Sequence, residues 1–358
     1  GGPKLGTSVS GGEDVNGDGF ADFVVGSPRG SASGRPQSGL SYVIFGGTAT
    51  HGATFDLTTL NGQNGFRLDG AAASDNSGFS VSLLEDIDGD GFDDVLIGAP
   101  INSTAGEVAG ASYVVLQAAL GASQIDLGSL NGTSGVALLG AAASDYSGRA
   151  VSSLGDFNGD GFGDLAVVAD RDDGFTPTIG SAYVLFGSAA PFSSTIGLGS
   201  LSGSDGFLLE GADLSQVQKI GRAGDVNGDG LNDLIIGGSK ATAAGRIEAG
   251  MSFVVFGTDT APVAPINLGT LNGSNGFKLL GITAGDHTGI SVSGAGDFNG
   301  DGFEDFVIGA NDAAPNGSGS GSSYLVFGKS SFSASFDLST LDGSNGFRKI
   351  RDGVSASI

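Results

Sequence analysis

The chain has 358 residues, of which 68 are Gly, and it contains neither Cys nor Trp. Its formal net charge of −24 argues against a nucleic acid or an anionic membrane surface as a partner, because both would repel it at long range. Without Cys it forms no disulfides, and no run of apolar residues is long enough to predict a transmembrane helix. The Gly-rich composition is typical of short strands joined by tight turns.

The first repeated element along the chain is the acidic loop DVNGDGFAD, which begins at Asp14. The pattern returns as DIDGDGFDD from Asp86, DFNGDGFGD from Asp156, DVNGDGLND from Asp225 and DFNGDGFED from Asp297, at intervals of 72, 70, 69 and 72 residues. An aromatic segment of the type SYVIFG and a turn of the type NGF keep the same spacing. Three markers in one register indicate five copies of one unit.

Each unit predicts four short strands in a fixed order. In the first unit, SVS (8–10) alternates small polar and apolar residues, and FVVG (23–26), after the acidic loop, is typical of a strand buried on both faces. SYVIFG follows a Gly- and Ser-rich loop, and GFRLDG closes the unit. No segment keeps a helical period, so the predicted fold class is all-β.

Such a unit cannot bury its apolar strands alone, whereas four-stranded units packed around an axis can. The sequence therefore predicts a β-propeller of five four-stranded blades, with an acidic loop between the first two strands of each blade. One domain is expected over 1–358, with repeats at 5–68, 77–139, 147–209, 216–280 and 288–350. The alternative, a flexible low-complexity chain, is disfavoured by the periodicity of its buried strands.

The acidic loops are predicted to bind a hard cation, because carboxylates on alternate residues repel one another unless a cation lies between them. Side-chain oxygens stand at loop positions 1, 3, 5 and 9, the backbone carbonyl of position 7 can join them, and Gly at position 6 permits the sharp reversal. Oxygen donors alone favour Ca²⁺ over Mg²⁺ and over transition metals. We expect five Ca²⁺ ions, one in each loop; the alternative is a set of metal-free Asx turns.

The predicted ligands occupy the same five positions in every loop. They are Asp14, Asn16, Asp18, Phe20 and Asp22; Asp86, Asp88, Asp90, Phe92 and Asp94; Asp156, Asn158, Asp160, Phe162 and Asp164; Asp225, Asn227, Asp229, Leu231 and Asp233; and Asp297, Asn299, Asp301, Phe303 and Asp305. Five Ca²⁺ ions would change the formal charge from −24 to −24 + 10 = −14. Many of the acidic residues are therefore predicted to be ligands of Ca²⁺.

The combined pattern GxSVSxxxDxNGDGxxDxxxGxP followed by YVxFG resembles the FG-GAP repeat of integrin α-subunit propellers, in the version found in bacterial integrin-like repeat proteins. The resemblance implies a propeller whose acidic loops bind Ca²⁺ on one rim. Integrin propellers have seven repeats, only some with calcium loops, whereas this chain has five and each carries a loop. The fourth unit departs most, with Leu214 and Val217 where other units have Asp and Gly.

Two functions are compatible with these residues. The first is a calcium-stabilised structural or adhesion module, secreted or at the cell surface, whose partners are Ca²⁺ and other surface proteins, glycans or copies of itself. The second is a propeller-fold hydrolase or lyase that uses a non-repeated loop, such as the charge cluster Asp170 to Asp173. We favour a non-enzymatic module without catalytic residues, because His51 and His287 lie in different units without a matching nucleophile.

The two ends of the chain predict a join between blades. The chain opens within a unit at LGTSVS (5–10) and closes with GFRKI (346–350), a segment that in other units precedes the next SVS strand. We expect this last strand to complete the first blade of a closed ring, which removes an exposed edge. Alternatively, it completes a neighbouring molecule, and the head-to-tail contact propagates into a filament.

Overall fold

The fold is that of a chain built from five β-sheets, one for each sequence repeat. The computed structural model describes residues 2, 4–32, 34–48, 53–116, 121–170, 180–211, 217–260, 265–317 and 319–350. The described residues form strands and short 3₁₀ helices and no α-helix. The predicted all-β fold class and the five blade-like sheets are confirmed.

The first sheet shows how one repeat becomes one blade. Its strands are β1 (Val9–Gly11), β2 (Phe23–Ser27), β3 (Leu40–Ile44) and β4 (Gly65–Asp69), each antiparallel to the next. β-branched and aromatic residues fit the pleated surfaces of these strands, and Gly-rich turns end them. The acidic loop connects β1 to β2, as predicted.

The remaining repeats follow the same plan. In chain order their strands are β5 (Ser80–Leu84), β6 (Asp94–Ala99), β7 (Ala111–Val115), β8 (Gln124–Asp126), β9 (Gly135–Leu139), β10 (Ser147–Gly155), β11 (Asp164–Ala169), β12 (Ser181–Leu185), β13 (Thr195–Gly197), β14 (Gly206–Glu210), β15 (Val217–Gly224), β16 (Asp233–Gly238), β17 (Met251–Val255), β18 (Ile266–Asn267), β19 (Gly276–Leu280), β20 (Ser291–Gly296), β21 (Asp305–Ala310), β22 (Ser322–Val326), β23 (Ser335–Asp337) and β24 (Gly346–Ile350). The four-stranded cores of sheets two to five are β5-β6-β7-β9, β10-β11-β12-β14, β15-β16-β17-β19 and β20-β21-β22-β24.

The described residues fall into two compact units. The first contains those within Gly1–Gly155, Gly161–Arg171 and Ala182–Leu208, and it holds sheets one and two and most of sheet three. The second contains those within Asp156–Asp160, Asp172–Ser181 and Leu209–Ile358, and it holds sheets four and five.

A fifth, short strand extends four of the sheets and was not predicted. β8, β13, β18 and β23 run parallel to β4, β9, β14 and β19, so each repeat lays a strand beside the last strand of the repeat before it. The added strand covers backbone groups that would otherwise form an open edge. The recurring segments QIDL, TIGL, PINL and SFDL are the sequence signal for it.

The predicted role of the last strand is wrong. β24 pairs with β22 of its own repeat, from Val326 opposite Gly346 to Ser322 opposite Ile350, and the first sheet already has β4 as its fourth strand. A tight turn closed by the Gly343 amide on the Gly346 carbonyl, at 2.9 Å, leads directly into β24. Residues 327–345 join β22 to β24, a far shorter loop than the one between β24 and the first sheet, so pairing within the blade costs less loop-closure entropy.

The hydrophobic core lies between neighbouring sheets. In the first unit, Phe66 and Leu68 of sheet one pack in one cluster with Val81 and Ile97 of sheet two. The flat faces of two sheets thus bury each other's apolar side chains, which a single sheet cannot do.

An aromatic cluster forms the corresponding core of the second unit. Phe277 of β19 is fully buried and stacks on Phe332 of the next repeat, with ring centroids 4.0 Å apart. Phe306 of sheet five lies 6.2 Å from the same ring. Phe347 occupies the equivalent position in β24 and is 39 % exposed. The same residue type at the same strand position therefore differs in burial between sheets four and five.

Replacing Phe277 and Phe347 tests how much burial by the next sheet stabilises a blade. We expect Phe277→Ala to lower the free energy of unfolding by about 3–5 kcal/mol, because it removes a fully buried ring and leaves a cavity. Phe347→Ala, its matched control, should cost less than about half as much. Urea unfolding followed by circular dichroism measures both values, and equal losses would contradict the assigned burial.

Candidate metal centres

The five acidic loops fold around the carboxylate at position 1. In the first loop, the Asp18 amide donates to Asp14 Oδ1 at 3.0 Å and the Gly19 amide donates to Asp14 Oδ2 at 2.7 Å. The Phe20 amide donates to Asp18 at 2.9 Å. Gly19 has a φ of +85°, a left-handed conformation that side chains disfavour, which explains the Gly at position 6.

Equivalent hydrogen bonds hold the other loops in the same form. The amide at position 6 donates to the first carboxylate in loops two, four and five, from Gly91 at 2.8 Å and from Gly230 and Gly302 at 2.9 Å each. In the third loop, the Asp160 amide donates to Asp156 at 3.1 Å. The loops therefore contain the Asx turns that a metal-free chain would use, and these turns hold the side chains at positions 1, 3 and 5 within one short segment.

The Asp at position 9 is the buried anchor of each loop. One of its oxygens accepts the amide of position 2; these bonds run from Val15 to Asp22, Ile87 to Asp94, Val226 to Asp233 and Phe298 to Asp305, at 2.9–3.0 Å. The other oxygen accepts a Gly amide just after the third strand; these bonds run from Gly46 to Asp22, Gly187 to Asp164, Gly257 to Asp233 and Gly328 to Asp305, at 2.7–2.9 Å. One carboxylate thus joins the loop to the third strand.

The Gly that takes part in this contact was missed from the sequence. It is the last residue of the segment SYVIFG, where its regular appearance is the available signal. Only the fold shows that its amide reaches a carboxylate 23 or 24 residues earlier in the chain. The aromatic strand and the acidic loop are therefore two parts of one site.

The second loop brings together three carboxylates that fit a cation. Asp86, Asp88 and Asp94 each offer an oxygen within 4.8 Å of the others. Asp94 is fully buried, and its Oδ1 accepts no hydrogen bond from the described residues. Here Gln117, which lies outside those residues, replaces the usual Gly. A buried carboxylate oxygen beside two further carboxylates is the donor set that a hard divalent cation neutralises.

Burial makes the charged form of these carboxylates costly. Desolvation first, and then the nearby charges of Asp88, Asp90 and Asp86, raise the pKa of Asp94 to about 8. Desolvation likewise raises the pKa of Asp233 to about 8, although the Gly257 and Val226 amides oppose the shift. A bound cation would favour the charged form in both loops.

A contact between the first two loops was also missed from the sequence. The Asp14 amide donates to Asp93 Oδ2 at 2.7 Å, and Asp93 is the eighth residue of the second loop. Position 8 varies between loops, so no repeated signal marks it. Desolvation raises the pKa of Asp93, which lies close to Glu85 as well as to Asp14. The adjacent loops are thus joined by a hydrogen bond.

The non-repeated candidates for catalysis lie in ordinary ion pairs or outside the described residues. His287 places Nδ1 2.6 Å from Asp312 Oδ2 and Nε2 3.7 Å from Glu248 Oε2. Asp170 is buried 3.5 Å from Arg149 Nε. The other members of the predicted cluster, residues 171–173, and His51 lie outside the part of the chain that the structure describes. His287 thus lies beside the carboxylates of Asp312 and Glu248, and Asp170 lies beside the guanidinium of Arg149.

Comparison with known proteins identifies the class. Residues 5–44, 77–115, 147–185 and 288–326 match the family model of the FG-GAP repeat, a repeat of β-propellers. Four of the five repeats of this chain are therefore FG-GAP repeats. The fourth repeat is not among the matched residues, yet β15, β16 and β17 pair in the same antiparallel order. The resemblance predicted from the sequence is confirmed.

The curated relatives are much longer than this chain. It is 29 % identical to integrin alpha-PS2 of Drosophila melanogaster over 277 residues, which are 75 % of this chain and 17 % of that protein. It is 30 % identical to integrin alpha-6 of Homo sapiens over 186 residues, 52 % of this chain and 14 % of the relative. It is 32 % identical to phosphatidylinositol-glycan-specific phospholipase D of Bos taurus over 205 residues, which are 55 % of this chain and 23 % of that protein.

No helix in the described ranges is long and apolar enough to cross a membrane.

Two carboxylates of the fourth loop should behave differently in the absence of metal. In a chelator, Asp233→Ala should lower the free energy of unfolding by about 1–3 kcal/mol, because it leaves the buried Val226 and Gly257 amides without their acceptor. Asp229→Ala removes an exposed carboxylate and should change stability by less than about 0.5 kcal/mol. Thermal and urea unfolding in EGTA compare the two variants, and equal losses would contradict the anchoring role of position 9.

Proposed function

We propose that this chain is a calcium-stabilised structural or adhesion module that acts outside the cell or at its surface. The observation that carries the calcium assignment is the grouping of Asp86, Asp88 and the buried Asp94, whose carboxylate oxygens lie within 4.8 Å of one another. Oxygen ligands and an acidic loop with Gly at position 6 suit Ca²⁺. The same ligand positions in all five loops support five ions for each chain.

Within each loop, the residues at positions 1, 3, 5 and 9 would hold the ion by their side chains, and position 7 would add its backbone carbonyl. The ion would supply the positive charge that the clustered carboxylates lack. Position 9 is already tied to the third strand, so binding at the loop would stabilise the contact between the first three strands of the blade. The proposed role of calcium is therefore to hold each blade together rather than to carry out chemistry.

The adhesion role rests on similarity to proteins named integrin alpha subunits. An extracellular location suits loops of exposed oxygen ligands, because extracellular calcium modules bind in the range of about 10⁻⁴ to 10⁻³ M. The similarity to a phospholipase D covers 23 % of that enzyme. For the shared part we propose the same non-catalytic, blade-forming role, and the partners of adhesion are surface proteins, glycans or copies of this chain.

Calcium should bind in five places and raise stability. We expect native mass spectrometry to count five Ca²⁺ per chain and four in Asp229→Ala, because that change removes one ligand of the fourth loop. Each site should add about 2.7 kcal/mol when free calcium is a hundredfold above its Kd, so EGTA should lower the Tm by many degrees.

The matched control is Asp259→Ala, which removes an exposed Asp of the same repeat outside the loop and should keep five ions. Calorimetry should give half-saturation between about 10⁻⁴ and 10⁻³ M calcium. A melting curve that EGTA leaves unchanged would refute calcium stabilisation, and submicromolar binding would contradict the extracellular assignment.

Calcium binding should weaken as the pH falls below 8. Burial raises the pKa of Asp94 and of Asp233 to about 8, so at pH 6 each of these ligands must lose a proton before it binds the ion. In these two loops, half-saturation should therefore require about fiftyfold more calcium at pH 6 than at pH 8. Calorimetric titrations at constant ionic strength measure this shift, and tighter binding at pH 6 would contradict it.

A further inference from the structure

The connection between the fourth and fifth repeats places an imidazole between two carboxylates. His287 stands before the first strand of the fifth repeat, and Glu248 lies in the loop between the second and third strands of the fourth. Asp312 lies in the corresponding loop of the fifth repeat. All three residues belong to the second compact unit. They lie outside the acidic loops, so the proposed calcium sites do not account for this group.

The backbone fixes His287 and Glu248 beside each other. The His287 amide donates to the Glu248 carbonyl at 3.2 Å, and the Thr288 amide donates to the Ala249 carbonyl at 2.9 Å. Gly250 and Thr288 form a parallel β-bridge at the same place. The φ angles of Glu248 and His287 are 53° and 54°, a conformation that residues other than Gly rarely adopt. The two side chains therefore start from turns whose positions the fold determines.

The same pair of turns recurs at two other junctions with different side chains. The Asn76 amide donates to the Gln37 carbonyl at 3.2 Å, and the Tyr146 amide donates to the Val108 carbonyl at 3.1 Å. Neither of these pairs contains an imidazole or a carboxylate. The fold thus supplies the turns at all three junctions, and the residue types at 248 and 287 give the last of them its chemistry.

Asp312 determines which nitrogen of the imidazole carries the proton. Its Oδ2 lies 2.6 Å from His287 Nδ1, a distance typical of a short, charge-assisted hydrogen bond. Because a carboxylate only accepts, Nδ1 is the donor, and the lone pair of the neutral ring is on Nε2. The second repeat has Ile101 at the position of Asp312, so it lacks this carboxylate.

The lone pair of Nε2 faces a second acceptor. Nε2 lies 3.7 Å from Glu248 Oε2, is shielded from water and has no hydrogen-bond partner within the described residues. Two acceptors that face each other away from water need a positive charge between them, which a proton or a metal ion can supply. An N–H···O hydrogen bond measures about 2.7–3.2 Å, which is shorter than this separation.

The separation fits two ligands of one metal ion. Zinc lies about 2.0–2.1 Å from a His nitrogen and about 2.0–2.2 Å from a carboxylate oxygen, so two such ligands stand at most about 4.3 Å apart. At 3.7 Å, an ion fits between Nε2 and the Glu248 oxygen in a bent arrangement. A carboxylate that accepts the other ring N–H is the usual outer partner of a metal-bound His, because it fixes the ring and raises its basicity. Asp312 stands in that place.

We propose that His287 and Glu248 bind one divalent transition-metal ion of the Zn²⁺ type, with Asp312 as the positioning residue. An imidazole nitrogen favours such an ion over Ca²⁺, which takes oxygen ligands. The Glu248 side chain is 52 % exposed, so water can complete the coordination shell. The ion would join the loop of the fourth repeat to the start of the fifth. This site goes beyond the calcium function and does not depend on it.

The first experiment measures zinc binding in calcium high enough to fill the acidic loops. Calorimetric titration of the whole chain with Zn²⁺ should detect a site that His287→Gln removes. Glu248→Gln and Asp312→Ile should weaken binding at that site at least about tenfold, the latter because it removes the outer partner of the His. The matched control is Glu107→Gln, which changes an exposed Glu in the corresponding loop of the second repeat and should leave binding unchanged.

The second experiment identifies the bound atom by NMR. The chain has 2 His residues, so isotope-labelled histidine gives a simple set of imidazole signals. Without zinc, His287 should carry its proton on Nδ1; with zinc, the Nε2 signal should move while Nδ1 stays protonated. In Asp312→Ile the proton should be shared between the two ring nitrogens, a change that a merely structural role for Asp312 would not produce.

Zinc binding that persists in His287→Gln, or that Glu107→Gln and Glu248→Gln weaken equally, would overturn the proposal. A chain that binds calcium but no zinc would refute this site and leave the calcium function intact. An imidazole with protons on both nitrogens at about pH 7, unchanged by zinc, would show that a proton and not a metal ion lies in the group. Melting curves without zinc establish that each variant is folded, and the NMR titration of the unsubstituted chain tests the site without any variant.

Discussion

A buried carboxylate at the ninth position of each acidic loop is the interaction on which every blade depends. A carboxylate within a protein interior is stable only when donors or a cation compensate its charge. Here the compensation comes from amides at two distant points, as Asp233 shows with Val226 and Gly257. The loop, the second strand and the end of the third strand are fixed together as a result. The acidic loop, which resembles a calcium site, therefore also holds the strands of its blade together.

The second constraint is that no blade buries its own faces. Phe66 is fully buried because sheet two covers it, and Phe277 because the fifth repeat covers it. The stability of such a chain therefore depends on the contacts between neighbouring blades, as in other repeat architectures. This explains why Gly recurs at Gly26, Gly98 and Gly237, where two backbones meet.

The acidic loops take part both in the proposed calcium sites and in contacts between neighbouring blades. The aromatic ring at position 7 packs against a Gly of the preceding loop, as Phe92 does against Gly17. The Asp14 amide donates a hydrogen bond to Asp93 of the following loop. The same loop therefore carries the proposed ion site within its blade and a contact between blades. The Gly at position 4 and the large side chain at position 7 fit the contact between blades, whereas positions 1, 3, 5, 6 and 9 fit the proposed ion site. The similarity to integrin alpha-PS2 covers 75 % of this chain and is therefore not limited to the acidic loops.

The sequence by itself determined the elements whose signal is local and repeated. Alternating apolar residues, Gly turns and the five acidic loops predicted the number of blades and the place of each loop, because strand pleating and loop reversal depend on neighbouring residues. The tertiary structure alone decided that β24 stays in its own blade, that a parallel strand crosses to the preceding repeat, and that Gly257 reaches Asp233. These features depend on packing and hydrogen bonds between distant segments, which residue order does not encode locally. The donors that anchor Asp233 are backbone amides, which every residue except Pro carries, so no side-chain pattern could have revealed them.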